Sequence, residues 1–440
     1  MILGPVSLLD CVVAGIIIAP QMLFTVGPLV TLTVIIRILP FLCEFRHRSS
    51  QLCVSLVCLR SDHVQQKVFK LPFHFLARYV KPRYAQPWFI AESTVFEDMV
   101  IRIVRYGFMN LPVRAARVLF SKQFAYPFLK WRMFRSGHFS FPAHLQETVI
   151  EQGNTSTAGL WIKHDPEQEP DVVVYYIHGG GFALGSCYFY LEFLLSMHHL
   201  LLKSGFESPA IFALEYSLAP EETHPTQVNQ AVLGYRHVLE DVKDASKVCI
   251  AGDSAGGTLT LSLLLELGKK TNEFQLNGAT TLAVPKLAVL ISPWITLVSN
   301  IHYPSEVDYL ERDTLWKYGK AYRGSAVHDP IASPGLCEDG DLWTAVSPQR
   351  GYFIVYGEEE TLAPDAEAFV RHQRRNKIEV DAMEFKGGIH AWPVASLMLS
   401  GTWDRRLQGL ESIVGHVRQK FMNDIVTRKK NTISDIEASD

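Results

Sequence analysis

The chain has 440 residues, of which 48% are hydrophobic and 20% are charged, so it can bury a large core and exceeds an average single domain. A formal net charge of -3 gives no electrostatic basis for nucleic-acid binding. The seven cysteines are scattered, odd in number and without a Cys-x-x-Cys pair, so they suggest neither a disulfide scaffold nor a zinc site.

Residues 1–45 are predicted to form a hydrophobic membrane anchor. Between Cys11 and Cys43 the only ionisable side chains are Arg37 and the cysteines themselves. This apolar run exceeds the roughly 20 residues that span a bilayer and is too long for a signal-peptide core of about 7 to 15 residues. The run is interrupted at Pro20, Gly27, Pro28 and Pro40. A tilted span, a kinked span and a shallow helical hairpin therefore all remain open.

The sequence gives two conflicting indications of the side of the membrane on which the rest of the chain lies. Arginines follow the apolar run and no Lys or Arg precedes it, which by the positive-inside rule places the following chain in the cytosol. The glycosylation sequon at Asn154 is usable only on the lumenal side. We predict a membrane location, in the endoplasmic reticulum, and leave open both the side and the glycosylation of Asn154.

The region 46–145 is predicted to be a helical linker or cap. It lacks a regular alternation of strands and helices, and apolar residues recur at helical spacing within 94–108. Pro112 is a helix-start signal for the segment that follows it. Amphipathic helices of this kind pack on a domain surface or form a lid over a pocket.

From residue 146 to about 425 the sequence predicts a catalytic domain of the α/β class. Strand-like apolar runs lie at 148–150, 159–163, 172–177, 210–216, 248–251, 287–291, 352–356 and 380–385. Helix-length segments lie between most of the later runs, at 191–203, 226–241, 255–269 and 364–376. This alternation predicts a mostly parallel eight-stranded sheet with helices on both faces and a site at the carboxyl ends of the strands. An insert at about 295–346 is expected to form a helical cap, and 426–440 a polar disordered tail.

A serine between two glycines follows the fifth strand-like run. Gly252-Asp253-Ser254-Ala255-Gly256 has the G-x-S-x-G spacing and leads directly into a helix-like segment. This arrangement predicts a sharp strand-to-helix elbow that exposes the hydroxyl of Ser254. Free N–H groups at the start of the following helix would favour developing negative charge beside it.

Three consecutive glycines end the third strand-like run, after His178. Backbone N–H groups without side-chain obstruction are what an oxyanion hole requires. Gly179 and Gly180 are the predicted donors, with the N–H of Ala255 as the third. His178 is interpreted as a structural hydrogen-bonding residue of this loop.

A nucleophilic serine needs a base and an acid that orients the base. His390 lies on a glycine-rich loop after the last strand-like run, which is the position required by the chain order Ser, acid, His. The acid should follow the preceding strand, where Glu358, Glu359, Glu360 and Asp365 are available. Position alone leaves the choice among them open.

Four segments together resemble the hormone-sensitive-lipase family of α/β-hydrolase esterases. They are His178-Gly-Gly-Gly-Phe182, Glu215-Tyr-Ser-Leu-Ala-Pro-Glu221, Gly252-Asp-Ser-Ala-Gly-Gly257 and the Gly387–His390 loop. The resemblance extends from about Asp171 to the final helix. It implies Ser254 as nucleophile, His390 as base and an oxyanion hole at Gly179, Gly180 and Ala255. It also implies a supporting role for Asp253 and a structural role for the turn 216–225.

The same resemblance selects an acid. The family usually has an aspartate two residues before a leucine, and Glu360-Thr361-Leu362 matches that pattern with a glutamate in place of the aspartate. Glu360 is therefore the implied acid, with Asp365 as the alternative. The apolar N-terminal segment followed by this domain is similar to fungal membrane-anchored steryl acetyl hydrolases and to arylacetamide-deacetylase-like enzymes.

These inferences predict a membrane-bound serine carboxylesterase or deacetylase. Its expected substrates are short-acyl esters of hydrophobic alcohols, steryl acetates among them, cleaved through an acyl-enzyme without a metal or organic cofactor. An acyltransferase using the same residues and a non-catalytic ligand-binding protein on the same fold are the alternatives. Acyl length, natural substrate and oligomeric state are left open.

Overall fold

An eight-stranded sheet forms the centre of the molecule. The computed structural model describes residues 1–43, 82–274, 282–326 and 328–437. The strands are β1 (His144–Gln152), β2 (Thr155–Lys163), β3 (Val172–Ile177), β4 (Pro209–Glu215), β5 (Val248–Asp253), β6 (Leu287–Ile291), β7 (Tyr352–Gly357) and β8 (Val380–Phe385). Their spatial order is β1-β2-β4-β3-β5-β6-β7-β8. β2 is antiparallel to β1 and β4, and all other neighbours are parallel.

Thirteen α-helices are found among the described residues. They are α1 (Leu8–Cys43), α2 (Trp88–Glu92), α3 (Val95–Asn110), α4 (Val113–Phe120), α5 (Lys122–Arg135), α6 (Leu191–Lys203), α7 (Thr226–Val242), α8 (Ala255–Phe274), α9 (Arg312–Arg323), α10 (Gly340–Val346), α11 (Ala363–Arg375), α12 (Trp392–Leu399) and α13 (Trp403–Glu437). The strands and the helices between them lie where the sequence predicts, and the predicted α/β-hydrolase fold is confirmed.

The central strands are apolar on both faces because helices cover both sides of the sheet. Every residue of β3 is buried, and its neighbouring residues Tyr175 and Tyr176 point to opposite faces. Tyr175 packs in a core with α7, α8 and α11, whereas Tyr176 packs in a core with α6, α12 and α13. The alternation of side chains along the strand thus builds two hydrophobic layers.

Helices α2 to α5 occupy the described part of the predicted linker or cap, and residues 46–81 lie outside the described residues. The insert at 295–346 contains α9 and α10, and its loops contact α3 through the Arg105 guanidinium, which donates to the carbonyls of Ser305 and Asp308. Asn154 is exposed in the turn between β1 and β2, so the sequon is accessible at the surface.

The C-terminal tail differs from the expectation. Helix α13 continues to Glu437, so residues 426–437 are helical and the prediction of a disordered tail from 426 is wrong for them. This stretch contains several good helix formers, among them Arg428, Lys429 and Lys430, and no proline or glycine that would stop the helix.

The N-terminal segment is divided between two environments. The part of α1 from Leu8 to Val34 is long and apolar enough to cross a membrane, with a mean hydropathy of 1.9, and it is kinked at Gly27. Residues 1–10, by contrast, pack on the hydrolase domain: Met1 and Leu3 are buried in the core that also contains α6 and α13. The predicted anchor of residues 1–45 therefore begins with a segment that belongs to the folded domain.

Candidate active site

Ser254 lies in the sharp turn between β5 and α8. Its φ is +51°, in the left-handed region that a side chain rarely adopts, which is the strained backbone of a nucleophile elbow. A Cβ at Gly256 would overlap the carbonyl oxygen of Ile177, and one at Gly252 would lie 2.5 Å from the backbone of Gly256. The turn therefore tolerates only glycine on both sides of the serine, and this explains the motif.

The loop after β3 lies directly beside this elbow. The backbone N–H of Gly179 donates to Asp253 Oδ1 at 2.8 Å. Neither Gly180 nor Gly181 has an N–H partner among the described residues, and the same is true of Ala255 at the start of α8. The prediction of Gly179 as an oxyanion donor is therefore corrected, because its N–H is already bonded. The available donors are Gly180, Gly181 and Ala255.

Asp253 is a buried anchor for this loop. Its carboxylate accepts hydrogen bonds of 2.7 Å from the hydroxyls of Tyr176 and Tyr190 in addition to the Gly179 N–H. Burial raises the pKa of Asp253, while these donors counteract the shift. The supporting role implied for Asp253 thus has a specific form: it fixes the glycine loop to the nucleophile turn.

His178 lies in the interior of the same loop. Its ring stacks on Tyr216 with 4.3 Å between centroids, and its Nδ1 is 2.8 Å from the carbonyl oxygen of Gly179. Tyr216 OH donates to the His178 carbonyl at 2.9 Å. These contacts agree with the interpretation of His178 as a structural residue and with a supporting role for the turn that begins at Tyr216.

His390 and Glu360 lie together behind the carboxyl ends of β6 and β7. Both are buried, and 3.8 Å separates His390 Nδ1 from Glu360 Oε2, which is longer than a hydrogen bond. Between them lies Ser292, at the end of β6. Its hydroxyl donates to Glu360 Oε2 at 2.6 Å and accepts the backbone N–H of Ala391 at 2.9 Å.

Burial dominates the electrostatics of this pair. It lowers the pKa of His390 to about 3 and raises the pKa of Glu360 above its ordinary value. A neutral imidazole at neutral pH is the form that accepts a proton, so the direction of the His390 shift suits a general base.

Asp308, in the insert, holds the two loops that carry these residues. One carboxylate oxygen accepts the backbone N–H of His390 at 3.1 Å, and the other accepts that of Thr361 at 2.8 Å. Burial raises the pKa of Asp308 to about 6, against the effect of these hydrogen bonds. Sequence reasoning missed Asp308, because nothing in the pattern of an insert indicates that one of its acids is buried.

Asp365, the alternative acid, lies elsewhere. Its Oδ2 accepts the backbone N–H of Thr296 at 2.7 Å and is 3.8 Å from His302 Nε2. It is thus placed at the base of the insert, beside His302 and not beside His390.

The three consecutive glutamates bond to three separate parts of the structure. Glu358 accepts the backbone N–H of Gly387 at 3.0 Å, on the loop that leads to His390. Glu359 accepts the N–H groups of Trp88 and Phe89 at 2.7 and 2.9 Å and so fixes the start of α2. Glu360 is buried beside Ser292. The run therefore joins the loop after β7 to three other segments of the chain.

Aromatic rings lie beside His390 and the glycine loop. The ring of Tyr309 lies 5.6 Å from that of His390, and the ring of Phe108 on α3 lies 5.9 Å from Tyr309 and 6.3 Å from Tyr318 on α9. Tyr318 also faces Gly181. The helical region before β1 and the insert thus both contribute to an apolar surround for the site.

Arg117 on α4 is a second residue that the sequence did not indicate. Its guanidinium donates to the carbonyls of Ala183 and Ala219 and forms a bidentate pair with Glu221. A lone arginine on an amphipathic helix gives no sign of such a partner. The contact ties α4 to the loops that support the glycine run.

Comparisons with known proteins agree with the α/β-hydrolase fold. A family model described as an alpha/beta hydrolase fold matches residues 174–394, which include Ser254, Glu360, His390 and the glycine loop. An acetyl-hydrolase of Streptomyces hygroscopicus is 31% identical over 253 residues, covering 55% of this chain and 76% of the relative. A steryl acetyl hydrolase of Saccharomyces cerevisiae is 26% identical over 217 residues, covering 45% of this chain and 47% of the relative. The structure of an esterase from the bacterial hormone-sensitive lipase family has a TM-score of 0.54 and 22% identity, and the match covers 74% of this chain and 99% of that one.

Proposed function

Because this chain belongs to the alpha/beta hydrolase family of the hormone-sensitive-lipase type and is a serine ester hydrolase, we propose that it cleaves short-acyl esters of hydrophobic alcohols with Ser254, His390 and Glu360. The observation that carries this proposal is the position of Ser292. Its hydroxyl donates to Glu360 and accepts the backbone N–H of Ala391, the residue after His390. The preceding residue, Ile291, accepts the backbone N–H of Ser254, so all three groups lie at one end of the sheet.

The chemistry follows from these positions. Ser254 Oγ attacks the ester carbonyl while His390 takes its proton, and the protonated imidazole then returns that proton to the leaving alcohol. Glu360 holds the tautomer of His390 and stabilises the imidazolium. The N–H groups of Gly180, Gly181 and Ala255 receive the oxyanion. Water then attacks the acyl-enzyme by the same route and releases the acid.

Two features support the substrate class. The aromatic surround of Phe108, Tyr309 and Tyr318 favours an apolar substrate over a charged one. The relatives named acetyl-hydrolase and steryl acetyl hydrolase indicate an acetyl group and, in one case, a sterol as the alcohol. We extend both properties to this chain as a proposal, with the apolar α1 as the means of membrane association. The assignment to the endoplasmic reticulum stays a prediction.

The test is a panel of esters offered to the detergent-solubilised full-length protein. p-Nitrophenyl esters with acyl groups from acetyl to palmitoyl measure the preference for acyl length. A steryl acetate compared with a water-soluble alkyl acetate measures the preference for a hydrophobic alcohol. We expect the highest kcat/KM for acetyl and for the hydrophobic alcohol. A strong preference for long acyl chains would overturn the short-acyl assignment, and equal hydrolysis by a His390→Ala variant would overturn the assignment of the base.

A further inference from the structure

On helix α1 an acid and an amide face the protein and large apolar side chains are exposed. A helix on the surface of a water-soluble protein has the reverse arrangement. Between Leu8 and Val34 α1 carries one acid and one amide, Asp10 and Gln21, and both face the protein. Asp10 is fully buried, and Gln21 Nε2 donates to the carbonyl oxygen of Gln123 on α5 at 3.0 Å.

The opposite face of α1 is apolar and exposed. It includes Leu9, Val12, Ile16, Phe24, Leu29 and Leu32, whose exposed fractions range from 53% to 90%. These side chains lie on both sides of the kink at Gly27, with Leu29 and Leu32 after it and the others before it, so the exposed apolar surface continues past the kink. An apolar surface of this extent on a folded domain marks an interaction site.

The start of α1 is fixed to the domain by a buried ionic network. Asp10 pairs with Arg135 at 2.9 Å and accepts the Trp131 indole N–H at 3.0 Å. The neighbouring Arg132 is bidentate to Glu192 and donates to the Gly4 carbonyl. The chain before the helix is therefore held on the same body as the catalytic domain.

The rest of α1 also packs on the folded domain. Met22 is buried against Ala115 and Val118 of α4, and Val26 and Val34 pack on the same cluster. The first turn of α5 beside it bears an exposed ion pair between Lys122 and Glu147, and exposed charges of this kind favour water over the hydrocarbon of a bilayer. A helix that packs on the domain beside exposed charged side chains does not cross a bilayer.

We propose that α1 is an in-plane anchor whose outer face, through Ile16, Phe24 and Leu29, enters one leaflet of a phospholipid bilayer while its inner face stays on α4 and α5. Residues 1–7 and the catalytic domain then lie on the same side of the membrane. The occupant is lipid, because from Leu8 to Val34 the outer face has no charged group on either side of the kink and both the acid and the amide of the helix bond to the protein. This inference rests on the membrane association proposed above.

The topology is tested with the full chain synthesised in the presence of microsomes. Single cysteines replace two exposed residues, Pro5→Cys before α1 and Glu151→Cys on β1, and a membrane-impermeant maleimide is mapped to each by peptide mass. We expect the two sites to react to the same extent before detergent is added. If only one of the two cysteines were protected from the maleimide, the helix would span the bilayer. That result would overturn the inference and leave the proposed membrane association intact. A chain that does not sediment with microsomes would overturn both, and esterase activity is measured separately.

Matched lysine substitutions distinguish the in-plane helix from an embedded hairpin. Phe24→Lys places a charge on the outer face, whereas Gln21→Lys places it on the inner face, where its ammonium can donate to the Gln123 carbonyl. We expect Phe24→Lys to weaken binding to phosphatidylcholine vesicles about tenfold or more, and Gln21→Lys to bind like the parent. Equal losses in both would overturn the inference, as would a soluble dimer that Phe24→Lys dissociates.

Discussion

The Ser292 hydroxyl donates a 2.6 Å hydrogen bond to Glu360 Oε2. The same oxygen of Ser292 accepts the N–H of Ala391, so one small side chain connects the acid to the loop of the base. Ser292 itself has a φ of +44°, an unusual conformation for a residue with a side chain, and it directly follows Ile291, whose carbonyl accepts the Ser254 N–H. We infer that Ser292 is a positioning residue for the Glu360–His390 pair.

Replacement of Ser292 tests this role. Ser292→Ala should lower kcat on the order of 10- to 100-fold with little change in KM, because small misplacements of catalytic groups reduce the rate of the chemical step. Ser292→Thr keeps the hydroxyl and should retain more activity than Ser292→Ala if its methyl group is accommodated. Kinetics on p-nitrophenyl acetate give both constants. A rise in KM with unchanged kcat in Ser292→Ala would show instead that Ser292 acts on substrate binding.

The identity of the acid is tested by three substitutions. Glu360→Gln should lower kcat on the order of 10³-fold, because the amide cannot stabilise the imidazolium. Glu360→Asp keeps the charge and should lose less. Asp365→Asn should leave kcat nearly unchanged, since Asp365 bonds Thr296 and lies near His302. If Asp365→Asn is the inactive variant and Glu360→Gln is active, the acid has been assigned to the wrong carboxylate.

Asp253 is expected to act on stability and on the glycine loop together. In Asp253→Asn an amide NH₂ faces donors where the carboxylate accepted three hydrogen bonds, and we expect a loss of about 1–3 kcal/mol in the free energy of unfolding. Tyr190→Phe removes one of the three donors and should cost less. Thermal unfolding of the parent and the two variants ranks them, and an Asp253→Asn variant as stable as the parent would contradict the anchoring role.

The pH dependence follows from the burial of His390. Its pKa is lowered from the ordinary value to about 3, so the neutral, proton-accepting form is present at neutral pH and is lost only as the pH falls. The raised pKa of Glu360 acts in the opposite direction, because a protonated acid cannot stabilise the imidazolium. We expect burial of the base to dominate and the acid limb of kcat/KM to lie below about pH 6.5, the ordinary pKa of a histidine. An acid limb at neutral pH or above would contradict this expectation and would indicate that protonation of Glu360, or its charge acting on His390, outweighs burial of the base.

The fold was readable from the sequence because its signals are local. Fully apolar runs such as 172–177 have no surface-facing residues, which identifies central parallel strands, and the two glycines around Ser254 are required by steric contacts within the elbow itself. His390 is the predicted base because chain order restricts the base to the loop after the last strand.

The remaining features depend on contacts between segments far apart in the sequence. Whether the N–H of Gly179 is free depends on Asp253, 74 residues later. The roles of Asp308 and Arg117 come from the packing of the insert and α4 against catalytic loops, and neither has a motif. The division of residues 1–45 into a docked segment and an exposed helix likewise depends on partners such as Arg132, which hydropathy does not detect.

A fluorophosphonate probe tests most directly whether Ser254 is the nucleophile and His390 its base. We predict that the full-length protein is labelled on the peptide containing Ser254 and that Ser254→Ala abolishes the label. His390→Ala should reduce labelling and ester hydrolysis on the order of 10⁴-fold or more. Covalent labelling of another serine, or undiminished labelling and hydrolysis in Ser254→Ala, would contradict this assignment.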